Sequence, residues 1–397
     1  MATQAAPAKK SRLRTALGAL VPLLLGAAVG AAGALWLPSL LPRTSMSGAQ
    51  VALTCAVLAA LLVGVIAVHE AGHLLGGRLA GFRAMLFVVG PFRVERTGTG
   101  IRAALNRNLA IAGGLAVSVP QDTRDLRRRT LLMVAGGPGA SLLTGALALG
   151  LRGPLGLAAL PAGAGYGHQL AAIVATVFGV MSLGIGAATL IPGRTGGFYT
   201  DGARILRLLR GGPDTEREVA ILALMALSMG GTRARDWDPA LVRQGLATAD
   251  ATPFDVVGRQ FAYAHALDRG DVEEARRHLE AALALEELLP AVGRSGLLLQ
   301  AAYFAAVHDG DPVRARALFA RAGAGLMVPP YTRRMTEAAV LLAEGDRAAA
   351  AALLERAEAG VGETLDRGGA AGDLERIRRL RALAERPAAR AAVAEPA

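Results

Sequence analysis

The amino-acid sequence predicts a mainly α-helical, polytopic membrane protein. About four transmembrane helices and a small membrane-associated β-like segment are expected to precede a soluble α-helical repeat domain. Three observations carry this. Long apolar runs fill the first half, whereas only five of the 32 acidic residues precede Asp214, the asymmetry of a membrane half followed by a water-soluble one. Arginines crowd one side of the apolar runs. After residue 250 one pattern of small and large residues recurs behind successive glycines.

Composition narrows the function classes. Hydrophobic residues make up 53% of the 397 and charged ones 19%, with a net charge of +11. Such a charge suits nucleic acid, but aromatics are only 4% and no basic block carries interleaved aromatics. Anionic lipid and the positive-inside bias explain the arginines better, and no nucleic-acid partner is expected. The single cysteine, Cys55, lies within an apolar run, so no disulfide framework and no cysteine-based metal site follow.

Residues 1–50 read as a cytoplasmic stub, an anchor and an external loop. KKSRLR precedes the apolar run Ala16 to Leu37, long enough to cross a bilayer; a cleaved signal peptide ending near AVGAAGA is the competing reading. The next span, about Val51 to Gly77, returns inside. Ten arginines between residues 78 and 129 mark that stretch as cytoplasmic. MLFVVGPFRVER (85–96) reads as extended chain broken at Gly90-Pro91, and LAIAGGLAVSVP (109–120) as similarly non-helical. Such backbone at membrane depth needs protein or a wet cavity beside it. It is either an edge that binds unwound substrate by strand addition or a peripheral hairpin. Further spans are expected at about Thr130 to Leu151, containing AGGPGAS, and about Leu170 to Pro192. Both chain termini are then cytoplasmic in a multi-pass cell-membrane protein.

The chemistry concentrates in VGVIAVHEAGHLLGGRL (63–79). His69 and His73, four apart, share one helical face and can reach a single Zn²⁺. Glu70 can take a proton from a zinc-activated water and pass it to a leaving amine. A solvated or pore-lining histidine pair is the alternative, but it leaves Glu70 unexplained. His73 lies five residues before Arg78, so at about 1.5 Å per residue the pair sits one to two turns below the cytoplasmic face. A catalytic zinc usually takes three protein ligands. Asp201, opening a helix after the last span on that same side, is the candidate third; its other reading is an N-cap. Asp122 and Asp125 are the fallback ligands. His168 falls in an external connection and is expected at the surface.

HEAGH within one span, Gly-Pro within the next, and Asp-Gly after the last together resemble the site-2 protease family of intramembrane zinc metalloproteases, over residues 51–211. The resemblance implies a three-span catalytic core with zinc near the cytoplasmic side, and a membrane-inserted β-like segment after the HExxH helix. The substrate implied is a membrane protein or peptide. Two features differ from the family pattern. Ser141 stands three residues after Pro138, where the family commonly has an asparagine thought to polarise the scissile carbonyl, so Ser141 is the candidate for that role as a weaker donor. The approach to Asp201, IPGRTGGFYTDG, is longer and richer in glycine.

Residues 212–386 form the expected soluble domain. Gly270, Gly310 and Gly345 are each followed at the same offsets by Ala275, Leu279 and Ala282; by Ala315, Phe319 and Ala322; and by Ala350, Leu354 and Ala357. That spacing resembles the tetratricopeptide family of stacked helical hairpins, a surface for a protein partner; a plain bundle of Ala-rich hairpins is the alternative. The tail, 387–397, reads as disordered. A catalytically degenerate membrane scaffold working through its repeats is the second functional expectation.

Overall fold

The computed structural model describes residues 46–385, apart from 109–110, 162, 196–197, 250–251, 290, 324 and 326–327. The expected anchor, Ala16 to Leu37, and the expected disordered tail lie outside the described residues. The chain is mainly helical and divides into two compact units, the first running to Arg96 and from Ile101 to Thr215, the second comprising Thr97–Gly100 and the chain from Glu216 onward.

In the first unit three helices are long and apolar enough to cross a membrane: α1 (Gly48–Leu79), α2 (Leu126–Gly150) and α3 (Tyr166–Leu190). Each starts three or four residues before the apolar run suggests. For α1 the cause is a capping box, in which Ser47 accepts from the Gln50 amide and the Gln50 side chain accepts from the Ser47 amide. For α2 it is the arginines of its first turn, which stay helical because they cap other elements. At about 1.5 Å per residue, the 32 residues of α1 reach roughly 48 Å, more than the ~30 Å of a bilayer's hydrocarbon. Leu53, Leu62, Leu75, Leu143 and Leu147 stand outward and exposed, an apolar girdle that suits lipid and not water.

The helices approach through small residues. A Cβ on Gly72 would lie 2.3 Å from the Gly136 carbonyl oxygen, and one on Gly136 would meet the Gly72 carbonyl oxygen at the same distance. The α1–α2 crossing is therefore backbone against backbone.

Between α1 and α2 runs an antiparallel sheet of β1 (Phe82–Val89), β2 (Phe92–Thr97), β3 (Gly100–Leu105) and β4 (Leu115–Pro120), in the order β3-β2-β1-β4. The break expected at Gly90-Pro91 is the hairpin turn, with Val89 opposite Phe92 and Gly90 at φ +53°. β4 pairs with β1 on one side only, so its other edge is open within the sheet. After α3 a two-stranded ladder, β5 (Arg194–Thr195) and β6 (Phe198–Tyr199), leads into α4 (Asp201–Arg210).

Helix α5 (Pro213–Gly230) carries the chain into the second unit, which adds α6 (Pro239–Gln244) and three hairpins before a last helix, α13 (Arg367–Glu385). The hairpins are α7 (Pro253–Asp268) with α8 (Val272–Leu283), α9 (Ala291–Phe304) with α10 (Pro312–Ala322), and α11 (Pro330–Glu344) with α12 (Arg347–Gly360). Each turns on a Gly-Asp pair. Gly270, Gly310 and Gly345 adopt positive φ, and Asp271, Asp311 and Asp346 accept the amides of Glu274, Arg314 and Ala349 at 2.9–3.0 Å. That geometry ends one helix and starts the next. Behind each turn the small-large-small triplet named above is buried, 0–6% exposed throughout, and forms the common core of the three hairpins.

Candidate metal centre

Three side chains from two helices converge at the C-terminal end of α1. His69 Nε2 stands 3.2 Å from Asp201 Oδ2, and His73 Nε2 stands 3.5 Å from Asp201 Oδ1. One ligand atom from each of the three lies within 4.8 Å of the others. The imidazoles meet edge to face, centroids 4.9 Å apart and planes at 89°, so both Nε2 atoms aim at one point.

Their far nitrogens are tied down. His69 Nδ1 is 3.0 Å from the hydroxyl of Ser141, which is fully buried on α2. His73 Nδ1 lies 3.2 Å from the Met133 carbonyl oxygen, also on α2. A carbonyl only accepts, so Nδ1 of His73 carries the proton and Nε2 offers its lone pair. Metal-ligating histidines commonly show this outer-shell arrangement.

Asp201 arrives by a closed route. Thr200, not Asp201, is the N-cap of α4 and accepts from the Ala203 amide. Its hydroxyl donates to the Ile191 carbonyl and accepts from the Gly193 amide, which pins the Gly-rich stretch back on itself. A Cβ on Gly202 would fall within 2.8 Å of three Leu190 backbone atoms, so α4 begins in contact with the end of α3. Asp201 thereby presents one carboxylate oxygen to each imidazole Nε2.

Two arginines of α2 fix the ligand-bearing helices in register. Arg129 donates from Nε to the Ala80 carbonyl and from Nη2 to the Gly81 carbonyl, capping α1. Arg127 donates from Nε to the Leu208 carbonyl and from Nη2 to the Leu209 carbonyl, capping α4. In the sequence both serve only as markers of the cytoplasmic side. Three consecutive arginines at a span's start gave no signal of which carbonyls they would reach.

Glu70 lies against the start of β4. The Ala116 amide faces its carboxylate, and a Cβ on Gly114, at φ +116°, would stand 2.6 Å from Glu70 Oε1. The open strand edge and the carboxylate are thus neighbours. Asp122 and Asp125 stay apart from the cluster. Asp122 is engaged by Arg124 and Arg129, whose bonds hold its carboxyl below the usual range, and Asp125 faces Arg128. His168 is exposed in the first turn of α3, at the opposite end of that helix from Leu190.

No protein-family model, curated protein or solved structure matches this chain.

The donor set is two imidazole nitrogens and one carboxylate, which fits the three protein ligands of a catalytic zinc. The Gly137 backbone underlies the His73 ring, where a Cβ would fall 2.3 Å from Nε2. The ring can sit as it does only above a glycine.

Proposed function

We propose that the chain is a zinc-dependent intramembrane endopeptidase of the site-2 protease type, cleaving membrane-protein or peptide substrates. The observation that carries this reading is the convergence of His69, His73 and Asp201 beside Glu70. His69, Glu70 and His73 stand on a helix long and apolar enough for a membrane, and Asp201 opens the short helix that follows the last such span. His69, His73 and Asp201 would hold Zn²⁺, whose Lewis acidity eases ionisation of a water and polarises a peptide carbonyl. Glu70 takes the proton that the attacking water loses and returns it to the amine as the C–N bond breaks. A helical substrate shields its peptide bonds in hydrogen bonds, so it has to unwind first. The open edge of β4 offers backbone partners for the unwound stretch within reach of Glu70. Arginines between residues 78 and 129 support a cytoplasmic-side site, with both chain termini in the cytoplasm. The three Gly-Asp hairpins support a tetratricopeptide-like repeat domain that binds a protein partner.

A second reading, a degenerate scaffold, draws on Ser141. Its hydroxyl is committed to His69 Nδ1 and buried, so it is not free to polarise a substrate carbonyl. The retained Glu70 favours the enzyme. Comparing membrane proteomes of cells carrying the parent chain and Glu70→Gln tests the choice: a membrane protein that accumulates only with the variant names a substrate. No difference across many growth conditions would favour the scaffold.

A further inference from the structure

Within the second unit, α13 reaches the first helix of every hairpin. Gly372 packs on the end of α7, where a Cβ would stand 3.2 Å from Asp268 Oδ1. Asp373 accepts from the Tyr331 hydroxyl of α11 at 3.1 Å. Arg376 lies 4.0 Å from Asp268 and within electrostatic reach of Tyr263 on α7 and Tyr303 on α9. Ahead of the hairpins, Arg233 donates to Glu375 at 2.8 Å. Gly368 sits close against the Ser228 and Thr232 carbonyl oxygens around the end of α5.

Yet α13 is a poor helix by its own sequence. Three of its first six residues are glycine, Gly368, Gly369 and Gly372, and each costs a helix about 1 kcal/mol relative to alanine. Its N-terminal half therefore depends on what it touches. It buries two large apolar side chains, Ile377 and Leu380, and its contacts named above are largely polar. Nor does it seal the surface beneath it. A half-open hollow of about 320 Å³ remains between its start, α5 and α7, whereas packed interiors leave few voids larger than one water. The hairpins, by contrast, share the continuous buried core described above.

We infer that the face under α13 is a docking groove for an amphipathic helix of a partner protein, and that α13 is its built-in, displaceable occupant. The contacts that hold α13 define the partner's chemistry. Asp373, Arg376, Ile377 and Leu380 fall at i, i+3, i+4 and i+7, one face of a helix. The partner helix repeats that face: an acid for the Tyr331 hydroxyl, arginine for Asp268, and two aliphatic side chains for the core beneath Ile377 and Leu380. Because α13 is tethered, it competes at an effective concentration of roughly millimolar order. A groove that is open a tenth of the time shows about a tenth of its intrinsic affinity. This inference deepens the reading of the second unit as a partner-binding domain and is independent of any chemistry in the first.

The test uses the full chain in lipid nanodiscs and has two readouts. In hydrogen exchange followed by mass spectrometry, α13 should open locally, its amides exchanging at least about tenfold faster than those of α9 and α11. The second probe is a fluorescein-labelled peptide of residues 366–385, read by anisotropy. A variant carrying Asp373→Asn and Arg376→Gln loosens α13 and leaves the groove's own residues intact; circular dichroism checks its helicity. The peptide should bind this variant at least about tenfold more tightly than the parent chain. The same peptide with Asp373→Ala and Arg376→Ala should bind the variant at least about tenfold more weakly than the unaltered peptide. Exchange of α13 in step with α9 and α11 overturns the displaceable occupant, whatever the hairpins bind elsewhere. No saturable binding to the variant, or equal affinity for parent and variant, overturns the groove itself.

Discussion

Replacing Gly137 by alanine would add one methyl group directly beneath a proposed zinc ligand. The new Cβ would stand 2.3 Å from His73 Nε2 and 2.4 Å from Cε1, whereas real Cβ contacts essentially never fall below 3.0 Å. The imidazole must therefore retreat by at least about 0.7 Å, from 2.3 to 3.0 Å. It cannot do so and keep both its bond to the Met133 carbonyl and its aim at the shared point. Zinc–ligand distances hold to about 0.2 Å, so the displacement exceeds the tolerance severalfold. Disturbing even an outer-shell partner costs about 10–100-fold in metal affinity; Gly137→Ala should cost at least that, or about 1.4–2.8 kcal/mol. Gly139→Ala is the matched control on the same helix, since nothing lies within 4 Å of its Cβ. Both variants are purified in detergent and titrated with zinc against a chromogenic chelator, with circular dichroism to check helicity. Gly137→Ala binding zinc within about twofold of the parent would refute the placement of His73.

Further outcomes follow from the packing and the ion pairs. Leu354→Ala removes a side chain with no exposure from the hairpin core and should destabilise the second unit by about 2–5 kcal/mol in denaturant unfolding followed by Trp237 fluorescence. Val313→Ala, at a site 79% exposed, should stay within about 0.5 kcal/mol. Arg129→Met strips the cap from the Ala80 and Gly81 carbonyls and should cost the first unit about 1.5–3 kcal/mol, read as a lower melting temperature in detergent. Burial raises the Asp268 carboxyl, but bonds from Arg233 and the Arg235 amide outweigh it, so its folded pKa lies below its unfolded value near ~3.9. Its contribution is therefore fully present above about pH 4 and lost as pH falls through the folded pKa. Asp268→Asn should flatten the acid limb of the second unit's stability curve; an unchanged acid limb would contradict the pairing.

The sequence was most legible where spacing alone dictates geometry. A spacing of four from His69 to His73 puts both on one helical face, and the recurring Gly with its small-large-small follow-on matches buried triplets. The Gly-Asp turn that joins each hairpin is also written locally, as is Tyr at seven residues before Gly270 and Gly310, where Tyr263 and Tyr303 are buried. What stayed hidden depends on long-range contacts. Nothing local tells that Ser141 would meet His69 across 72 residues, or that Arg127 would cap a helix 81 residues away. The Gly-rich approach to Asp201 read as slack because its tether, the Thr200 hydroxyl, works through backbone partners that composition does not reveal. The β-like segment was legible as extended chain, while its strand order, which leaves β4 at the edge, depends on pairing partners beyond the reach of a local pattern.

The central claim is that Asp201 and two imidazoles share one zinc ion, and zinc-edge X-ray absorption on the purified full chain measures that most directly. The expected spectrum shows two nitrogen scatterers with imidazole outer shells at about 2.0–2.1 Å and carboxylate oxygen at about 2.0–2.2 Å, with zinc lost from Asp201→Ala. A zinc-free parent protein, a sulfur distance near ~2.3 Å, or an unchanged spectrum in Asp201→Ala would contradict it.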